Sequence, residues 1–181
     1  MKLENGETHA GLRIRGESLA GGRLRMAQLR GCRLTDCDLS NAEWELCGLE
    51  ETVFERCRLT GFRVTECGGR EVVFRGCRGR YVQLTRCRIQ AARFESCQLT
   101  DSSLMDCELP QAVFAECDLA DAVLSGSRLR GTDLRGCIIR GLRASIDDLA
   151  ETVLDPEQAA AVLMGEAGIR VLPIGLDLAG G

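Results

Sequence analysis

The sequence predicts an all-β solenoid closed by a short C-terminal helix, and three regularities carry that reading. All eleven cysteines stand at residue numbers ending in 2 or 7, and nine of them, Cys37 to Cys117, follow at a fixed ten-residue step. Two residues further on lies a second series, at numbers ending in 4 or 9, from Ile14 to Ile139; 24 of its 26 members are large and apolar. Four of the five phenylalanines, Phe54, Phe74, Phe94 and Phe114, are spaced by 20. Neither the helix nor the strand period can hold a five-residue pattern over this length. Units that repeat so closely bury their core only by stacking on one another.

Each position in the unit then has a role. The large series, with Leu34, Trp44 and Leu134 among its members, and the small series (Ala27, Cys32, Cys37, Ala42, Cys47, Thr52 and onward to Cys137) point inward. The other three positions are dominated by Arg, Asp, Glu, Gln, Ser, Thr and Gly and face solvent. The phenylalanine step implies four units per coil, with the rings stacked. It sorts ten of the eleven cysteines into two columns, Cys37, Cys57, Cys77, Cys97, Cys117 and Cys137 on one side and Cys47, Cys67, Cys87 and Cys107 on the other. At a coil separation of roughly 4.8 Å, about 6.5 coils make a rod roughly 31 Å long. Gly69 and Gly79 interrupt the large series, and the oversized neighbours Phe62, Val72 and Val82 are expected to fill the missing volume, the alternative being a local bulge or a binding notch.

The bulk properties exclude several classes. A chain of 181 residues fits one domain with a sizeable core. The start, Met1-Lys2-Leu3-Glu4-Asn5-Gly6-Glu7, has no apolar leader, and no window approaches the apolar length of a membrane span, so a soluble cytoplasmic protein is expected. An odd cysteine count, the lack of Cys-x-x-Cys and a single histidine, His9, argue against a paired disulfide framework and against a zinc site. The thiols are predicted free, buried and inert, with no metal and no cofactor. No dinucleotide fingerprint or phosphate loop is present, and a filled interior leaves nowhere to assemble titratable groups, so no enzymatic activity is expected.

Units such as Cys37-Asp38-Leu39-Ser40-Asn41 and Cys117-Asp118-Leu119-Ala120-Asp121 resemble those of the pentapeptide-repeat family. The resemblance covers about residues 12–143 and implies a right-handed, quadrilateral β-helix. Residues 1–11 are left as an N-terminal cap and 144–181 as a C-terminal one. Within the latter, Asp155-Pro156-Glu157-Gln158 is a helix start, with Asp as N-cap, Pro at N1 and Gln at N3, and the helix is expected near 156–165. Val162, Leu163, Met164, Ile169, Val171 and Leu172 are candidates for a lid over the last coil. The resemblance adds a second role for them, since DNA-mimicking members of the family form homodimers through such C-terminal elements.

Charge along the rod is banded. Residues 12–33, 34–55, 56–93, 94–121 and 128–143 carry net +5, −7, +8, −7 and +4. The resemblance implies a function in which a rod of duplex-like width imitates DNA, binds bacterial DNA gyrase or topoisomerase IV and protects it from quinolones or topoisomerase toxins. The candidate partner-binding residues are Asp36, Asp38, Glu43, Glu45, Glu50 and Glu51 in the first acidic band, and Asp101, Asp106, Glu108, Glu116, Asp118 and Asp121 in the second. A good mimic needs a nearly continuous acidic face, whereas the four sides sum to net charges of only +2, −1, +1 and +1. The alternative is a scaffold rod for an unknown protein partner, its Arg and Asp/Glu bands pairing across stacked coils. Direct nucleic-acid binding is not expected, because the arginine belt has no aromatic stacking partner beyond Tyr81.

Overall fold

Residues 3–166 are described by a computed structural model of the chain. Three-residue strands stack in parallel into three sheets. One contains Thr8–Ala10, Gln28–Arg30, Gly48–Glu50, Gly68–Arg70 and Arg88–Gln90. A second runs from Arg13–Arg15 through Arg33–Thr35, Val53–Glu55, Val73–Arg75 and Arg93–Glu95 to Val113–Ala115. The third runs from Arg23–Arg25 through Glu43–Glu45, Arg63–Thr65 and Gln83–Thr85 to Ser103–Met105. The fourth side is a column of single bridges, Ser18, Asp38, Arg58, Arg78, Gln98, Asp118 and Ile138. On that side the corner closes more tightly. The amides of Ala42 and Phe62 bond the carbonyls of Leu39 and Leu59 three residues back, which leaves one residue rather than three to pair with the next coil.

Every pairing joins residues 20 apart, as the phenylalanines require: Leu34 with Phe54, Phe54 with Phe74, Phe74 with Phe94 and Phe94 with Phe114. From Phe54 to Phe114 the rings stack with centroids 4.5–4.9 Å apart and planes within 7°. The last residue of each unit turns the corner in the left-handed region. Eighteen residues other than glycine do so, among them Asp36, Glu51, Arg56 and Asp121, with φ between 48° and 61°. The ladder holds them there: the amides of Asp36, Glu51 and Arg56 each donate to a carbonyl of the next coil, at Glu55, Arg70 and Arg75.

The interior is filled. Phe62, Val72 and Val82 are buried, and Phe62 meets Trp44 edge-on at 5.3 Å. The two core glycines differ. A β-carbon on Gly79 would lie 2.6 Å from Val82 Cγ2, so Val82 occupies the space that the large series leaves there. A β-carbon on Gly69 would run into the Leu49 carbonyl, so at that position the backbone itself comes close.

All eleven cysteines are free and buried. Their thiols donate to carbonyls of the preceding coil, Cys57 to Leu34 at 3.4 Å and Cys97 to Phe74 at 3.3 Å. Where Thr52, Ser102, Ser127 or Thr132 takes the position, its hydroxyl makes the same bond. The small series is therefore a row of compact donors as well as a row of small volumes.

The rod is longer than 12–143 at both ends. In the segment expected as an N-terminal cap, Thr8–Ala10 already pairs with Gln28–Arg30, and Asn5 Oδ1 accepts from the Arg25 amide at 2.8 Å. At the other end Val153 still bridges Asp133. The helix Pro156–Glu166 follows directly.

Candidate interaction surface

The outward residues stand in columns, so charges 20 apart in sequence become neighbours on adjacent coils. In the first acidic band this neutralises every carboxylate. Asp36 lies between Arg15 and Arg56, and Glu43 between Arg23 and Arg63. Asp38 meets Arg58, Glu45 meets Arg25, Glu50 meets Arg30 and Glu51 meets Arg70. Glu55 meets both Arg33 and Arg56. A hydrogen bond from the Arg56 guanidinium holds the Asp36 carboxyl below the ordinary aspartate range. The Ser40 amide donates to Asp38 Oδ1 at 2.9 Å and, with the Arg58 charge beside it, holds that carboxyl low as well.

The second band behaves differently. Asp101 pairs with Arg80, and Glu108 with Arg88 and Arg128. Among the described residues, Asp106, Glu116, Asp118 and Asp121 form no ion pair with an arginine. The step of 20 gives part of the reason, although pairs also form at offsets of 19, 21 and 22, as in Glu51–Arg70, Asp36–Arg15 and Glu55–Arg33. Positions one coil away from them are Arg86 and Gly126, Ser96 and Gly136, Gln98 and Ile138, and Asp101 and Gly141. Only Arg86 is basic, and it is engaged by Glu66 at 2.7 Å. Reading the bands as blocks concealed this division of the twelve candidate residues, whereas their offsets would have revealed it. Glu116 and Asp121 are exposed, and Asp118 is half-buried with Oδ1 accepting from the Ala120 amide at 3.0 Å.

At the C-terminal end, Asp155 Oδ1 accepts from the Gln158 amide, and Gln158 Oε1 accepts from the Asp155 amide. This is the reciprocal cap that the sequence announces. The Gln158 side chain goes further and donates to the carbonyls of Leu134 and Cys137, which fastens the helix to the last coil. Its role as a bridge was not visible in the sequence. Among the described residues, the helix covers only part of the coil end. A cleft of about 590 Å³ remains, lined by Ile139, Leu142, Leu149, Gln158, Ala161 and Val162. Of the lid candidates, Val162 packs partly against the core while Leu163 and Met164 are exposed. Ile169, Val171 and Leu172 lie outside the described residues.

Among the described residues, no three His, Cys, Asp or Glu side chains are grouped to hold a metal ion, and no helix is long and apolar enough to cross a membrane.

A family model described as a pentapeptide repeat region matches residues 27–103, and one described as pentapeptide repeats (8 copies) matches residues 102–141. No curated protein matches the chain by sequence. Similar solved structures include QnrB1, a plasmid-mediated fluoroquinolone resistance protein, in a trypsin-treated form. It is 20% identical, with 91% of this chain and 99% of that one covered and a TM-score of 0.45. HetL, involved in heterocyst differentiation regulation in the cyanobacterium Nostoc sp. strain PCC 7120, is 16% identical over 82% of this chain and 87% of that one, with a TM-score of 0.32. Rfr23 from the cyanobacterium Cyanothece 51142 is 17% identical over 83% and 90%, with a TM-score of 0.28.

Proposed function

The chain belongs to the pentapeptide-repeat family, and on that premise we propose that it is a non-enzymatic binding rod whose C-terminal half docks on a cationic protein surface. The surface we assign to it is the DNA-binding saddle of a bacterial type II topoisomerase, gyrase or topoisomerase IV. One observation carries this reading. The carboxylates of the first band are all ion-paired within the rod, whereas among the described residues Asp106, Glu116, Asp118 and Asp121 form no ion pair and stay available to a partner. Unpaired carboxylates on a rigid rod attract a basic groove, and they act chiefly on encounter rate and orientation.

The test is a supercoiling assay with purified gyrase, with and without a quinolone, run with the native chain and with the Asp118→Asn/Asp121→Asn variant. The native chain is expected to inhibit supercoiling or to relieve quinolone poisoning, with the variant weaker in the same assay. No effect of the native chain at micromolar concentration overturns the topoisomerase reading.

A second reading has an observation of its own. No side of the rod is continuously acidic, and the N-terminal half presents arginines and carboxylates already matched to each other. This favours a scaffold rod for a protein partner of another kind, and the same null result in the supercoiling assay would support it.

A further inference from the structure

On the fourth side of the rod, the column Asp38, Arg58, Arg78, Gln98, Asp118 and Ile138 contains an unresolved conflict of charge. Arg58 and Arg78 stack directly, like charge on like charge, which is unfavourable between paired positions. Arg58 is relieved by Asp38, but among the described residues Arg78 has no carboxylate. Two coils further on, Asp118 forms no ion pair among the described residues. Gln98 stands between them, so the two opposite charges are roughly 10 Å apart along the axis and cannot meet within one rod.

We propose that this side pairs with the same side of a second copy, the two rods running antiparallel about a two-fold axis through Gln98. Rotation about that axis keeps each column opposite itself and reverses the order of the coils. Arg78 of each copy then faces Asp118 of the other, giving two symmetric ion pairs. Tyr81 and Arg80 face the coil that carries Asp121. At the axis, Gln98 meets Gln98, and a primary amide both donates and accepts, so two of them satisfy each other. Thr100, in the neighbouring column, does the same with its hydroxyl, and Asp101, which also meets its own copy there, is held by Arg80 of its own rod at 2.9 Å. A closed two-fold contact requires this kind of self-complementarity. The side is narrow and polar, so the pairing is weak, reversible and dependent on salt. It uses Asp118, so self-association and the docking proposed above compete for one surface.

Sedimentation equilibrium of the full chain at low and at high ionic strength tests this without any topoisomerase. A dimer at low salt that dissociates at high salt is expected. Arg78→Asp or Asp118→Arg alone should weaken association by about tenfold or more, and the Arg78→Asp/Asp118→Arg double variant should restore it. Circular dichroism of each variant confirms that the solenoid is intact. A chain that stays monomeric at low salt overturns the proposal. So does a dimer indifferent to both reversals, which would place the contact elsewhere, for example in the C-terminal segment.

Discussion

Asp155 and Gln158 close the C-terminal end of the rod by bonding each other in both directions, at 2.9 Å from the Gln158 amide to Asp155 Oδ1 and 3.0 Å from the Asp155 amide to Gln158 Oε1. The side-chain Nε2 of Gln158 then donates to the Leu134 and Cys137 carbonyls at 2.7 and 2.9 Å. Gln158 is only 6% exposed, so water cannot replace those bonds. Gln158→Ala should cost about 2 kcal/mol or more, since it removes half of the cap and leaves two carbonyls unsatisfied. Asp155→Ala should cost about 1 kcal/mol. Hydrogen exchange of residues 156–166 should rise selectively in both variants, with Gln158→Ala showing the larger rise.

The same cap predicts a response to acid. Backbone amides of Gln158 and Gly136 hold the Asp155 carboxyl below the ordinary aspartate range. A carboxylate depressed in the folded state contributes stability above its unfolded pKa, about 3.9, and loses it as pH falls through the folded value. Asp36 and Asp133 shift the same way, Asp36 through Arg56 and Asp133 through Arg135. Thermal stability should therefore be flat through neutrality and fall below about pH 4. Asp155→Asn should reduce the part of the fall that accompanies loss of the helix signal.

Gly79 and Val82 share one volume. With a β-carbon at Gly79 placed 2.6 Å from Val82 Cγ2, and also 3.3 Å from the Leu59 and Leu99 side chains, Gly79→Ala should destabilise by about 1–3 kcal/mol. Val82→Ala leaves a void and also destabilises. The double variant should cost less than the sum, a coupling that chemical denaturation of the four proteins measures directly. Strict additivity would show that Val82 does not fill the gap.

That pair also shows how much of the fold the sequence carried. The five-residue register, the step of 20 and the inward direction of Phe62 and Val82 are all consequences of volume and period, which a sequence displays. Gly69 looked like Gly79 in the sequence, yet its missing side chain answers to the Leu49 carbonyl, a backbone approach with no compositional trace. His9 sits where the apolar series has faded, whereas Leu149 and Leu154 keep its register beside Val153, so the rod runs past residues 12–143 at both ends. The candidate surface was legible only in part. All twelve acids were visible, but which of them are free depends on neighbours 20 residues away, as Asp118 between Gln98 and Ile138 shows.

The cysteine columns predict slow thiol chemistry. Burial raises Cys37, and contact with the next sulfur together with burial pushes Cys67 and Cys107 far above the ordinary thiol range. Reagent access through a filled core, rather than acidity, then sets the rate. A disulfide reagent should label none of the eleven thiols in the native chain and all of them in denaturant, at a native-state rate that tracks unfolding.

Glu43 and Asp118 should differ in what they contribute to stability. Glu43 bridges Arg23 at 2.9 Å and Arg63 at 2.9 Å, one on the coil above and one below. Exposed pairs contribute little singly, about 0–1 kcal/mol, but a carboxylate shared by two guanidinium groups relieves two like charges at once. Glu43→Gln should therefore lower the melting temperature measurably at low salt, and the loss should shrink as salt screens the pairs. Among the described residues Asp118 has no arginine to lose, and an asparagine there can still accept from the Ala120 amide. Asp118→Asn should leave the melting temperature unchanged or raise it. Equal losses in the two variants at low salt would mean that Asp118 is neutralised within the rod, and would remove the basis for assigning it to a partner.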